Sequence, residues 1–141
     1  MNFNFLNRLQ PFAQLVMRLA LGAIMIAHGY HKVFGGFHYH MDMVGSLGLP
    51  PWMAYLSTCT EFFGGIAIVL GLFPRFFSLA FAIEMGVAIW KVHFKNGLTA
   101  QGGYEFPLAL ATIAFALLCF GGGPWGFSFP SLGGARKSKN G

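Results

Sequence analysis

PWMAYLSTCTEFFGGIAIVLGLF (residues 51–73) and PRFFSLAFAIEMGVAIWKVHF (residues 74–94) decide the fold of this chain. Each is long enough to cross a bilayer core, which takes roughly 20 helical residues. Pro74–Arg75 leaves so tight a turn between them that they must form an antiparallel hairpin. Each also carries one carboxylate near its centre, Glu61 and Glu84. An isolated carboxylate in hydrocarbon is costly, so both are expected to face polar groups inside a bundle and not lipid.

The composition extends this reading to the whole chain. Of 141 residues, 55% are hydrophobic and only 9% are charged, and the mean hydropathy is +0.60. A soluble domain carries about a quarter charged residues, so this chain belongs with membrane proteins. The expected fold is all-α, a single four-transmembrane-helix bundle over 1–130 with spans at about 11–34, 51–73, 74–94 and 104–120. A loop is expected from Phe37 to Leu49, with Gly45, Ser46 and Gly48 as turn residues. A basic disordered tail is expected at 131–141. Arg18 interrupts the first apolar run and no clear cleavage site follows, so this run is expected to remain as a span.

Four spans put both termini on one side. That side holds Arg8, Arg75, Arg136, Lys137 and Lys139, against Lys32, Lys91 and Lys95 on the other. The excess of basic residues places the termini in the cytoplasm and the spans in the cell (cytoplasmic) membrane. Trp52, Trp90 and Trp125 fall near the expected interfaces, where amphipathic rings settle. The net charge of +5 does not imply nucleic acid, because the basic residues are scattered and the spans leave no basic face. Cys59 and Cys119 form no C-x-x-C motif and are expected as free thiols on different spans.

Helical spacing shows which polar groups can meet. Arg18, Gly22, Met25, Gly29 and Lys32 make one stripe on span one. Gly64–Gly65 follows Glu61, and small residues there permit close helix approach. Glu84, Ala88, Lys91 and Lys95 share a face of span three, and Glu105, Ala109, Thr112, Ala116 and Cys119 line up on span four. Arg18, Lys32 and Lys91 balance Glu61, Glu84 and Glu105 in number. By depth, Arg18 is the expected shared partner of Glu61 and Glu84, in an intramembrane charge network that either fixes helix register or relays protons.

Above that network lies an expected outer layer of His28, Lys32, Lys91, His93 and Glu105. Together with His31, these groups suit a quinone headgroup, whose carbonyls need donors beside aromatic walls. Phe34, Trp90, Phe94 and Tyr104 are the expected walls. Haem is not expected: His28 and His93 share a depth on different helices, but two such histidines are weak evidence for axial ligands. No metal is expected, because His38-Tyr39-His40 with Asp42 lacks a third strong ligand.

The run Arg18-Leu-Ala-Leu-Gly22-Ala-Ile-Met-Ile-Ala-His28-Gly29-Tyr-His-Lys32 resembles the first-span signature of the DoxX family. Glu61-Phe-Phe-Gly64-Gly65 with Leu70-Gly71 is similar to the family's second span, and Gly103-Tyr-Glu105-Phe-Pro107-Leu to its fourth. The family's closing Ser-x-Asp is absent, since Ser128-Phe129-Pro130 lacks the acid, and no role is assigned there. The resemblance implies a four-helix membrane protein associated with quinone-linked membrane oxidoreductases or electron-transfer complexes. The chain has no evident electron carrier of its own, so catalysis would need a cofactor or other membrane protein subunits. Two other roles fit the sequence: a non-catalytic accessory or assembly subunit of a larger respiratory or photosynthetic complex, and ion or proton transport.

Overall fold

The computed structural model describes residues 3–127, and every regular element among them is helical. Residues 131–141 and Ser128-Phe129-Pro130 lie outside the described residues. After a short helix at Asn4–Asn7, span one runs Gln10–His31. Its start is set by Pro11, whose missing N–H would have no helical partner there. Span two is Trp52–Leu70, span three Pro74–Asn96 and span four Glu105–Phe120. The first three are long and apolar enough to cross a membrane. Span four has 16 residues, about 24 Å at 1.5 Å per residue, so it matches only a thinned or locally adapted hydrocarbon layer.

The bundle core takes Leu21 and Met25 from span one, Ile68 from span two, Phe81 and Met85 from span three, and Leu110, Ala114 and Leu117 from span four. Around it Leu19, Phe63, Phe76, Ile83 and Phe115 point outward and exposed. Large apolar side chains outside and a mixed interior are what lipid as solvent selects. Spans one and two cross closely because the stripe at Arg18, Gly22, Met25 and Gly29 is the buried face of span one. A Cβ on Gly29 would stand 2.5 Å from the backbone nitrogen of Phe62, so no larger residue fits without separating the helices.

The sequence reading is corrected between the first two spans. The expected loop from Phe37 to Leu49 is mostly the helix Phe37–Ser46. Non-helical dihedrals at Phe34 and Gly35 break the chain direction, and the new helix lies against Trp52–Cys59 with the Phe37 and Tyr55 ring centroids 4.5 Å apart. Phe37, His40 and Val44 recur at three- and four-residue steps and make its inner face, with His40 and Val44 buried. The glycines that suggested a loop belong to its end, where Gly48 takes φ +75°.

A second correction concerns span four, where Glu105, Ala109, Thr112 and Cys119 are exposed and the buried face is Pro107, Leu110, Ala114 and Leu117. Thr112 can lie outward because its hydroxyl donates to the carbonyls of Leu108 and Ala109 in its own helix.

Spans two and three each contain a π-helical turn, at Thr60–Gly64 and Ile89–His93, and span one ends in the kink at Lys32–Gly36. A π turn inserts one extra residue, re-aims the side chains beyond it, and is found mostly at functional positions. The π turns carry Glu61, and Lys91 with His93, and the kink begins at Lys32.

Candidate functional site

The kink after span one meets the π turn of span two. Lys32 at the end of span one reaches Glu61 in the middle of span two, with Nζ 2.6 Å from Oε1. The approach is permitted by Gly29, one turn earlier, which lets span one lie directly on the Phe62 backbone. Glu61 is 5% exposed, and Lys32 is partly exposed. Span three brings Glu84 to the same level: its Oε1 accepts a hydrogen bond of 2.6 Å from the Ser57 hydroxyl. The Glu84 carboxyl interacts electrostatically with that of Glu61. The remaining oxygen of each acid, Oε2, is buried without a hydrogen-bond partner. One cation therefore serves two adjacent acids.

Lys32 also forms part of a cleft of about 310 Å³ between the end of span one and the helix Phe37–Ser46, lined by His28, His31, Lys32, Gly36, Tyr39, His40 and Met43. His40 is buried, and its Nε2 has no hydrogen-bond partner. Three imidazoles, an ammonium and a phenol thus surround a space of small-ligand size. Among the described residues, no three His, Cys, Asp or Glu side chains are grouped closely enough to hold a metal ion.

Arg18 is not the partner of either acid. It is fully buried, and its guanidinium donates to the carbonyls of Ile68 at 3.0 Å, Val69 at 2.8 Å and Gly122 at 2.8 Å. The first two lie at the C-terminal end of span two, where the helix dipole favours a cation; the Ile68 carbonyl also accepts from the Gly71 N–H, and the Val69 carbonyl has Arg18 as its donor. Arg18 is fourteen residues before Lys32, about 21 Å along the helix, which places it in a different layer from Glu61 and Glu84. Among the described residues the expected balance of three bases and three acids reduces to one ion pair, Lys32–Glu61.

The expected outer layer is brought together only in part. His28 and Lys32 share the cleft, and the His28 ring lies 6.2 Å from that of Phe106. Lys91 lies over the Trp90 ring at 4.3 Å. His93 Nδ1 is 2.7 Å from the Gly102 carbonyl and so ties span three to the loop before span four. Glu105 is exposed in the first turn of span four, where a negative charge complements the helix dipole. Of the expected walls, Phe94 stacks on Tyr104 and Phe34 packs on Tyr30, away from the cleft lining.

Tyr39, His40 and Met43 were missing from the expected site because the segment bearing them was read as a loop. The three- and four-residue spacing of Phe37, His40 and Val44 is the signal that places them on a helix face.

Comparison with known proteins agrees with this architecture. The chain is 31% identical to "Putative oxidoreductase CatD" of Bacillus subtilis over 112 residues, 79% of this chain and 83% of that protein. It is 30% identical to "Inner membrane protein YqjF" of Escherichia coli over 112 residues, 70% of this chain and 84% of the relative. An uncharacterised protein of Haemophilus influenzae is 26% identical over 75% of each chain. No solved structure matches the chain. The DoxX family model matches residues 13–94, which hold the first three spans, the Lys32–Glu61 pair and Glu84. This multi-pass integral membrane protein therefore belongs to the DoxX family.

Proposed function

We propose that the protein is a small subunit of a quinone-linked membrane oxidoreductase, and that the cleft beside Lys32 receives the quinone headgroup. The observation that carries this reading is the convergence of hydrogen-bond donors on one cleft at the end of a membrane span. Lys32 supplies an ammonium, His40 a buried imidazole nitrogen without a partner, and Tyr39 a phenol. A quinone presents two carbonyl acceptors on an apolar ring, and such donors fix its orientation. Met43 and the side-chain-free surface of Gly36 give the ring an apolar neighbour. The name of the Bacillus relative supports redox chemistry, and that of the Escherichia relative supports placement in the cytoplasmic membrane. The basic excess on the side of Arg8 and Arg75 supports termini inside. Electrons come from a partner subunit or a bound cofactor, and the chain's own residues bind and orient the headgroup.

The test is extraction of the full chain, purified in mild detergent, followed by absorption spectra of protein and lipid extract. Stoichiometric quinone that is lost in Lys32→Met and His40→Ala, and kept in Glu105→Gln, is the expected result. Native protein without quinone overturns the reading. Normal turnover of the complex with failed assembly when this subunit is removed assigns it an accessory role instead. Ion flux in proteoliposomes that vanishes in Glu61→Gln assigns it to transport.

A further inference from the structure

We infer that Glu61 and Glu84 form a proton-holding pair, with one proton shared between the two carboxyls and Lys32 linking the pair to the cleft. Three observations converge on it. The two carboxyls are close enough to interact, and two bare carboxylates buried together would repel in a medium of low dielectric. Lys32 supplies one positive charge, and it is committed to Glu61 Oε1 at 2.6 Å. Both Oε2 atoms are buried and without a partner.

A single hydrogen resolves all three. Placed on Glu84 Oε2 and donated to the Glu61 carboxylate, it gives each acid a partner for its second oxygen. Glu84 is the protonated member, since its other oxygen accepts only from the neutral hydroxyl of Ser57, whereas Glu61 faces the ammonium. The trio of Lys32 cation, Glu61 anion and neutral Glu84 then sums to zero charge, the state in which a buried cluster is least costly. Two carboxyls sharing one proton are a known solution to enforced proximity.

The groups facing the pair are Lys32 on span one, Ser57 on span two and His40 on the helix Phe37–Ser46, whose charge state senses both Lys32 and Glu61. Lys32 and His40 also line the cleft, so a proton leaving the pair has a path outward. When a cleft ligand gains this proton, Lys32 donates one of its own to the ligand oxygen. The Glu84 proton passes to the Glu61 carboxylate and from there to the neutral Lys32 amine, so the trio ends with one net negative charge, Lys32 cationic and both acids ionised. Delivery to a quinone rests on the function proposed above; the presence of the proton does not.

Infrared spectroscopy of the full chain in nanodiscs, without added quinone, tests the pair by itself. The sequence has four side-chain carboxyls, Asp42, Glu61, Glu84 and Glu105, and Asp42 and Glu105 are exposed. The native protein is expected to show a protonated-carboxyl C=O band that shifts on 13C-glutamate labelling and again in D2O. Glu84→Gln, whose amide can still donate to Glu61, removes the band, while Asp42→Asn and Glu105→Gln leave it. Lys32→Met takes away the only cation, and its band is expected to grow about twofold as both acids become neutral. Absence of the band in native protein overturns the inference even if no variant folds. So does a band that survives both Glu84→Gln and Glu61→Gln. A native band lost in Glu84→Gln, in protein that never binds quinone, keeps the pair and removes the quinone reading.

Discussion

Span one ends in two different ways. At its lower part Arg18 is a buried cation whose three donor directions all end on carbonyls, at Ile68, Val69 and Gly122. At its upper end Lys32 is a cation shared with a cleft, and behind it two acids keep one buried oxygen each without a partner. The first site is closed: every group that burial would penalise is satisfied, and nothing is left to react. The second is open in hydrogen bonds, in charge and in space. In a bilayer, where water cannot fill a missing bond, an unsatisfied polar group signals a place where a ligand or proton belongs. Both are charges on the same helix face, and saturation of their hydrogen bonds is what distinguishes them.

The comparison is broken most directly at Arg18. Arg18→Met removes three hydrogen bonds, at roughly 1 kcal/mol each, and strands the Val69 and Gly122 carbonyls, so a loss of about 3 kcal/mol is expected in denaturant titration of the detergent-solubilised protein. Arg18→Lys recovers only part, because one ammonium cannot reproduce the planar guanidinium fork. Gly71 reinforces the site: it takes φ +76°, and a Cβ there would come within 2.6 Å of the guanidinium. Should Arg18→Met retain full stability while the quinone content falls, the two ends of span one have been assigned the wrong way round.

Gly29→Val comes next. The added carbons must push span one off the Phe62 backbone, which costs about 2 kcal/mol by overpacking. It also draws Lys32 away from Glu61, so quinone content or the carboxyl band should change with stability. A smaller term is the Lys32–Glu61 coupling itself. A double-mutant cycle of Lys32→Met and Glu61→Gln is expected to give about 1.5 kcal/mol, and additive single effects would show that the 2.6 Å pair contributes no specific coupling.

Four spans were legible in the sequence because apolar length and proline–glycine breaks are local signals, and the spacing of Arg18, Gly22, Met25 and Gly29 marked the face that became buried. Partner choice was not legible. Residue counting along a helix places Arg18 and Glu61 in one layer, but long side chains and close glycine crossings move the meeting points by a turn or more, and Arg18 reaches the end of span two instead. The cleft was hidden for a related reason. It forms only after the chain turns at Phe34 and Gly35 and brings His40 back beside Lys32. On span four the same stepwise spacing selected a lipid-facing stripe, since Thr112 satisfies its hydroxyl within its own helix and needs no interior partner.

That contrast between hydroxyls gives the smallest and sharpest measurement. Ser57 and Thr112 are both hydrogen-bond donors, but Ser57 donates to Glu84 on another span and Thr112 to the Leu108 and Ala109 carbonyls of its own helix. Ser57→Ala removes about 1 kcal/mol of stability, the net worth of one buried hydrogen bond. It also frees the Glu84 carbonyl oxygen, so the protonated-carboxyl band moves to higher frequency without losing area. Thr112→Ala should leave that band where it was, since its hydroxyl touches neither acid. If the two variants behave alike, Ser57 is only another helix-bound hydroxyl, and the open site shrinks to the two acids and Lys32. If they differ as expected, the polar chain from the cleft through Lys32 and Glu61 extends past Glu84 to its last donor, 2.6 Å further on.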